Sequence, residues 1–154
     1  GIGVWGQPIS VLTTSNFFNN HHQYGFVYKE DGSVSDDGQT FYTGSSFTSG
    51  DIVQCALDLT NSKIYFGKNG TWQNSGDPTS GSTGTGAVAL ENNGDAYFFT
   101  ASSYGTDVLQ MNFGQGYFGT TAVASAGTNA SGIGTFEYDV PTGYTALSTK
   151  GLDI

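Results

Sequence analysis

The side chains that could do chemistry in this chain are few, and their spacing fits no catalytic or metal-binding arrangement. His21 and His22 are the two histidines, and neighbours in an extended segment point to opposite sides, so one metal ion cannot easily take both. Both also lie in one predicted loop, and the chain has no Gly-x-Ser-x-Gly motif that would place a serine nucleophile beside a base. We therefore expect no catalytic residue, no metal site and no cofactor.

The acidic residues leave one enzymatic alternative open. A pair of carboxylates that meet in space is sufficient for glycoside cleavage, so a polysaccharide hydrolase stays the less favoured reading. Nothing in the sequence marks two of them as a pair. The carboxylates considered are Asp36, Asp37, Glu91, Asp95 and Glu137.

Two other polar features have structural explanations. The segment Asp31–Gly38 is rich in oxygen atoms, but it lacks the alternating ligands and terminal Glu of a twelve-residue calcium loop. Its two Asp-Gly pairs supply the positive backbone angles of tight turns, which predicts a hairpin turn. Cys55 is the sole cysteine and lies in an alternating strand pattern, which predicts a buried, inert thiol.

The segment from Gly50 to Gly70 shows which elements position these groups. Its side chains alternate between two faces with the period of two that is typical of β-strands, first over Ile52–Leu57, where Val53, Cys55 and Leu57 share an apolar face, and again over Lys63–Phe66. The connection Asp58–Ser62 contains Asp, Thr, Asn and Ser, which bond their own backbone in turns. The pattern predicts two antiparallel strands and a tight loop.

This segment resembles the late hairpin of the SPRY domain, which reads Gly-Asp, a strand ending in Leu-Asp, a turn and a strand ending in Phe-x-Lys-Asn-Gly. The corresponding residues here begin at Gly50-Asp51 and end at Lys68-Asn69-Gly70. Two later segments are similar to the same family, the Asn-Phe-Gly of Val108–Gln115 and the Pro-x-Gly-Tyr-x-Ala-Leu of Pro141–Leu147. The tail and the Gly, Ser, Thr and Asn content look most like SPRY-type domains of bacteriophage and environmental viral proteins.

The resemblance implies an all-β fold, an antiparallel β-sandwich of the concanavalin-like jelly-roll type, in one domain over residues 1–154. The family usually has a strand before the one that Gly1–Trp5 resembles, so we expect the domain to lack its first strand in this sequence. A sheet without that strand exposes unpaired backbone groups, which favour strand addition. We expect an upstream segment or another chain to fill the position, and the second case predicts a homo-oligomer.

The amino-acid composition restricts the kinds of partner that this chain is expected to bind. With four Lys plus Arg and thirteen Asp plus Glu the net charge is −9, which disfavours nucleic acid and anionic lipid. No run of about twenty apolar residues is present, so we expect no membrane insertion. An acidic surface rich in uncharged polar residues is typical of extracellular or particle-exposed proteins.

Eight strands are predicted. They cover Gly3–Trp5, Tyr24–Tyr28, Ile52–Leu57, Lys63–Phe66, Val88–Leu90, Ala96–Thr100, Val108–Asn112 and Tyr144–Leu147. Between them, Gln73–Gly86 is predicted to be an exposed, mobile polar loop, and Gly114–Thr135 to be an irregular insertion. In the SPRY family binding is usually carried by loops at one rim of the sandwich, so these two loops, with Leu12–His22 and Glu30–Gly38, are the candidate binding loops.

Aromatic rings in or beside the loops can stack on sugars or fill a partner's pocket, although core or rim packing is the favoured explanation for each. The candidate binding residues are Trp72, Tyr104, Tyr117 and Phe118. Asn69 and Asn129 begin Asn-x-Ser/Thr sequences and are possible glycosylation sites. We expect a non-enzymatic structural or interaction module of a virion or another extracellular assembly. Its partners would be itself, other particle proteins, or a host-surface protein or glycan.

Overall fold

Alternating apolar residues in the first part of the chain form two antiparallel sheets. A computed structural model describes residues 1–6, 25–36, 39–90, 97–103 and 106–147. The chain divides into two compact units, Gly1–Gly105 and Thr106–Ile154. The strands of the first unit are β1 (Ile2–Gly6), β2 (Gly25–Tyr28), β3 (Ser33–Asp36), β4 (Gln39–Thr43), β5 (Val53–Asp58), β6 (Lys63–Lys68), β7 (Thr71–Trp72), β8 (Val88–Ala89) and β9 (Tyr97–Ala101).

Each sheet of the first unit has a simple order. The larger sheet has five strands in the order β4-β3-β2-β1-β9, and all its pairings are antiparallel. In the smaller sheet β6 pairs with β5 along its whole length, with β7 at Gly67 and Lys68, and with β8 at Lys63 and Ile64. Strand β1 lies inside the larger sheet, because β2 and β9 flank it.

The two sheets pack face to face around one apolar core. Tyr28 of the larger sheet and Phe66 of the smaller one lie with ring centroids 5.8 Å apart. Cys55 and its apolar neighbours on β5 contact this core from its edge. The predicted all-β antiparallel sandwich is therefore confirmed. The buried core cluster is Val4, Phe26, Tyr28, Val34, Ile64, Phe66, Val88 and Leu90.

Six predicted strands are confirmed with shifts of one or two residues at their ends, and the tight turn after β5 is confirmed as well. In that turn the Asp58 carboxylate accepts bonds from the Asn61 backbone N–H, at 3.0 Å, and from the Asn61 amide, at 2.7 Å. The strands β3 and β4 were missed, because the sequence around Asp31–Gly38 was interpreted only as a turn. Strand β7 was missed because it has only two residues.

The segment Gln73–Gly86, predicted to be an exposed, mobile polar loop, has many exposed residues, but it also contains local helical structure, and its mobility stays a prediction. The segment contains two stretches of 3-10 helix, Gln73–Ser75 and Pro78–Thr83, and buries Gln73 and Pro78. Asp77 is the N-cap of the second stretch, and its carboxylate accepts hydrogen bonds from the Thr79 N–H and hydroxyl at 2.9 and 2.6 Å. Short polar side chains supply the bonds that a regular element would otherwise make.

The second unit has little regular structure. Its strands are β10 (Tyr117–Phe118) and β11 (Thr121–Ala122), which form a hairpin, and an isolated parallel bridge joins Gln115 to Thr135. The predicted strands Val108–Asn112 and Tyr144–Leu147 are not strands in the structure. In the first case, side-chain amides bond to nearby backbone groups in place of a strand partner. Asn112 Oδ1 accepts the Gly114 N–H at 2.8 Å, and the Gln115 side-chain amide donates to the Met111 carbonyl at 2.6 Å.

A turn replaces the second of these predicted strands. Gly143 has a φ of +91°, and the Tyr144 N–H donates to the Pro141 carbonyl at 3.1 Å, so the Pro-x-Gly-Tyr sequence bends where extension was expected. In the residues that the structure describes, no helix has the length and apolar character of a membrane span. The prediction of a single domain over residues 1–154 and of an absent first strand stays a prediction.

Candidate interaction surface

A polar loop between β4 and β5 forms the centre of one rim of the sandwich. We call residues 44–52 the rim loop. Its neighbours are the β2–β3 turn, residues 29–32, and the β6–β7 turn, residues 69–70, because both turns bond directly to it. The rim loop therefore meets two other strand connections at the same end of the first unit.

Backbone hydrogen bonds join the rim loop to the β2–β3 turn. The Gly44 N–H donates to the Gly32 carbonyl at 2.8 Å, and the Phe47 N–H donates to the Glu30 carbonyl at 3.0 Å. Gly32 has a φ of +91°, and a Cβ there would lie 2.5 Å from the Gly44 carbonyl oxygen. Glycine is required at this position for both the turn and the close approach of the rim loop.

Three buried or half-buried side chains support the rim loop from the core side. Gln73 Oε1 accepts the Ser45 N–H at 2.7 Å, while its Nε2 donates to the Thr71 carbonyl at 3.0 Å. The Tyr28 hydroxyl donates to the Ser45 carbonyl, and burial together with the charge of Asp51 raises the pKa of that hydroxyl. The Phe47 ring packs edge-on against the Tyr28 ring at 5.1 Å between centroids.

Asp51 closes the other end of the rim loop. Its carboxylate accepts the Thr48 N–H at 2.9 Å and the Asn69 amide at 2.6 Å, and it pairs with the Lys68 ammonium at 3.0 Å. These bonds hold the pKa of Asp51 below its ordinary value, with the Thr48 N–H as the largest cause. Lys68 also donates to the Ser46 carbonyl at 2.8 Å, so one cation bonds to both halves of the loop.

The remaining bonds explain the Lys-Asn-Gly sequence at the end of β6. Asn69 Oδ1 accepts the Ile52 N–H at 2.8 Å, and the Asn69 N–H donates to the Ile52 carbonyl at 2.8 Å. The Gly70 N–H donates to Gln54 Oε1 at 2.7 Å. The Gly-Asp and Lys-Asn-Gly motifs thus form one hydrogen-bonded latch between β5 and β6, and we call it the latch below.

The rim presents small polar groups on a fixed backbone. Its exposed side chains mostly carry hydroxyl groups, which both donate and accept hydrogen bonds. Many of the backbone N–H and C=O groups of the loop are already hydrogen-bonded within the protein. Glu30 and Asp31 add negative charge at one side, whereas Asp51 is neutralised by Lys68. Such a surface suits recognition of polar partner groups. The exposed residues of the loop are Ser45, Ser46, Thr48, Ser49 and Gly50.

The structure describes three of the four predicted binding aromatics, one in the first unit and two in the second. Trp72 follows the β6–β7 turn and is half-buried, and its ring lies 3.1 Å from where a Gly67 Cβ would be, so the glycine leaves room for the indole. Tyr117 is 49% exposed and Phe118 partly buried, both on β10 of the second unit. Tyr104 lies outside the described residues. Their role in binding stays a prediction.

Both candidate glycosylation sites have their amides engaged. Asn69 Nδ2 donates to Asp51, and Asn129 Nδ2 donates to the carbonyls of Ile133 and Gly134 at 2.7 and 3.0 Å. A glycan attached to Asn129 Nδ2 would break at least one of these two bonds, because the attachment replaces one of the two amide hydrogens.

Of the carboxylates that were considered for catalysis, the structure describes Asp36 and Glu137. Asp36 lies in the first unit, and Glu137 lies in the second, where it accepts the Ala124 N–H at 2.6 Å. Among the residues that the structure describes, no group of three or more His, Cys, Asp or Glu could hold a metal ion. His21, His22, Asp37, Glu91 and Asp95 lie outside the described residues, as does the candidate loop Leu12–His22.

Two structural readings of the polar features are supported. The Asp31 carboxylate accepts the Ser33 N–H and hydroxyl at 2.8 and 2.6 Å, and the Lys29 N–H donates to the Ser33 carbonyl at 2.9 Å, so the first Asp-Gly pair forms the β2–β3 hairpin turn. The second pair, at residues 37 and 38, lies outside the described residues. Cys55 is half-buried beside the core, and burial raises the pKa of its thiol, which favours the protonated form; its lack of reactivity stays a prediction.

The fold and the rim define a class of protein, a β-sandwich that carries polar loops on a rigid frame. A family model for the SPRY domain matches residues 2–116, well over half of the 154 residues. The chain therefore belongs to the SPRY domain family, whose members are protein-interaction modules. Neither the comparison with curated proteins nor the comparison with solved structures found a match.

The sequence reasoning missed the rim loop as a candidate site. The candidate loop Glu30–Gly38 overlaps the β2–β3 turn beside the rim, but the rim loop itself is fixed by residues on other elements, among them Gln73 and Lys68. A signal was present, because the segment between Gly44 and Gly50 is rich in Ser and Thr and Gly50 begins the Gly-Asp motif. Buried Gln73 could not be found in this way, since nothing in its sequence context indicates burial.

Proposed function

We propose that this chain is a non-enzymatic interaction module that binds a partner through the rim loop and the two turns beside it. The observation that carries the proposal is the way in which the loop is fixed. Gly32, Lys68 and Gln73, on three separate elements, bond to its backbone, while its hydroxyl side chains remain exposed. A loop that is already ordered loses little conformational entropy when a partner binds.

The setting that we propose is a viral or phage particle, or another extracellular assembly. The net charge of −9 and the Ser, Thr, Asn and Gly content support it, together with the resemblance of the Pro141–Leu147 sequence to phage-type SPRY domains. In this setting the partner is a copy of the chain, another particle protein, or a host-surface protein or glycan. A receptor-binding domain that recognises a peptide or a carbohydrate is the alternative within the same proposal.

The experiment is a binding screen with variants that block the rim. The folded chain is tested against arrays of immobilised peptides and of host-surface glycans, and its mass is measured by native mass spectrometry. Ser49→Trp places a bulky ring on the rim without removing any of the bonds described above. Thr83→Trp is the matched control, since Thr83 is exposed in the 3-10 segment Pro78–Thr83. That segment contacts β6 through Ser80 and Tyr65, away from the Lys68 end of the strand that bonds to the rim loop.

We expect Ser49→Trp to reduce binding or assembly at least about tenfold and Thr83→Trp to leave it unchanged, because a misplaced ring at an interface costs 1.4 kcal/mol or more. Binding to peptides, to glycans or to a second copy then identifies the partner class. Loss of binding in the Thr83→Trp control alone would refute the rim as the binding surface. Turnover of a glycan would refute the non-enzymatic proposal.

A further inference from the structure

The turn at the centre of the latch contains a reactive dipeptide. In an Asn-Gly sequence the glycine nitrogen can attack the asparagine side-chain carbon, because glycine offers no side chain to hinder it. The Gly70 nitrogen loses its proton and forms a bond to Asn69 Cγ, the Cγ–Nδ2 bond breaks, and ammonia leaves with a proton. Water then opens the cyclic imide and produces aspartate or isoaspartate at position 69.

The folded latch restrains every group in this reaction. The attacking Gly70 nitrogen donates its hydrogen to Gln54 Oε1 at 2.7 Å. The Asn69 side chain is held at both ends, with Nδ2 bonded to Asp51 at 2.6 Å and Oδ1 bonded to the Ile52 N–H at 2.8 Å. These bonds hold the Asn69 side chain and the Gly70 nitrogen in place and so oppose the rotation that would bring the nitrogen to the carbon.

We propose that Asn69-Gly70 is a deamidation site that the folded rim protects and that reacts only after the latch has opened. The reaction proceeds from a locally open state, so its rate reports how often the latch opens. This makes Asn69 an irreversible marker of rim opening. The proposal concerns the latch alone and does not depend on which partner binds the rim.

Conversion would prevent the latch from closing again. Aspartate at position 69 replaces the Nδ2 donor with an oxygen, which would face Asp51 Oδ1 at the position of the present 2.6 Å bond. Two carboxylates there repel each other, and the donor is lost. Isoaspartate also lengthens the backbone at a residue that has a φ of +48°. A rim that has opened and reacted therefore stays open.

The test measures deamidation by peptide mapping with mass spectrometry, in mildly alkaline buffer and at urea concentrations on both sides of the unfolding transition. The chain contains a second Asn-Gly pair at residues 93 and 94, which is a reference for intrinsic reactivity in the unfolded protein. We expect both pairs to react at similar rates when the protein is unfolded. Under native conditions the rate at Asn69 should fall at least about tenfold below its own unfolded rate.

Two variants test the assignment of the contacts. Gln54→Ala removes the partner of the Gly70 N–H and should raise the native rate at Asn69 about tenfold, whereas Gln110→Ala removes an exposed glutamine side chain of the second unit and should not. Near-ultraviolet circular dichroism verifies that each variant is folded.

Two results would overturn the proposal. One is an Asn69 rate that is equal in native and unfolded wild-type protein, which can be measured even if Gln54→Ala does not fold. The other is an unchanged native rate in a folded Gln54→Ala variant.

Discussion

Replacing Gln73 with alanine should loosen the rim loop while leaving the sandwich folded. Gln73 is 7% exposed and makes two hydrogen bonds, one to the Ser45 N–H and one to the Thr71 carbonyl. Each bond contributes about 0.5–1.5 kcal/mol to the net stability, so their loss costs about 1–3 kcal/mol. For a chain of this size a loss of about 2 kcal/mol lowers Tm by about 4–8 °C.

The assay combines urea unfolding with amide hydrogen exchange. The unfolding midpoint should fall without a change in slope, because the surface exposed on unfolding stays the same. Exchange should accelerate at Ser45 and its neighbours in the rim loop, since the bond from the Ser45 N–H is removed. The backbone amides of β6, which lie in the core, should still exchange only through global unfolding. Their protection should therefore fall by no more than the loss in the global free energy of unfolding.

Two further variants serve as controls for the Gln73→Ala result. Gln73→Met keeps the length of the side chain without its donor or acceptor, so it separates the hydrogen bonds from the packing against Gly44. Gln39→Ala removes an exposed glutamine side chain on β4 and should change nothing. Unchanged exchange at Ser45 in both Gln73 variants would refute the reasoning that this side chain fixes the loop.

The other predictions concern packing, pH and the thiol. Gly3→Ala should prevent folding or cost more than about 4 kcal/mol in a urea titration, because its Cβ would lie 1.9 Å from the Phe26 carbonyl oxygen. The native pKa values of Asp51 and Asp77 are lowered, so their stabilisation is present above the ordinary aspartate pKa of about 3.9 and is lost as the pH falls through the native values. The urea midpoint should decrease below about pH 4, and Asp51→Asn should show a smaller decrease than the wild type. Cys55 should react with an aromatic disulfide reagent only at the rate of unfolding, and rapid labelling of native protein would contradict its burial.

The alternation of side chains between two faces made the strands of the sandwich predictable from the sequence. Ile64 and Phe66 alternate with Lys63, Tyr65 and Gly67, so β6 and its partner β5 could be recognised from sequence, and Ile64 and Phe66 are in the core. The segment Val108–Asn112 has similar apolar content, yet it is not a strand. The Asn112 and Gln115 side chains bond to nearby backbone groups there, and such competition depends on geometry that alternation does not encode.

The candidate surface was harder to predict because its contacts join distant parts of the sequence. The Gly-Asp and Lys-Asn-Gly motifs were recognised, but as marks of family resemblance and not as one latch. Their connection becomes visible only when Asp51 and Asn69 are seen at 2.6 Å across the β5–β6 pair. Gln73 likewise reaches Ser45 over 28 positions, a distance at which local patterns give no information.

The most direct test of the central claim is hydrogen exchange of the folded chain with and without the partner that the binding screen identifies. We expect the partner to slow exchange chiefly in residues 44–52 and in the turns at 29–32 and 69–70, because these form the presented surface. The 3-10 segment Pro78–Thr83 should be unaffected. Protection confined to that segment or to the second unit, with an unchanged rim, would contradict the account.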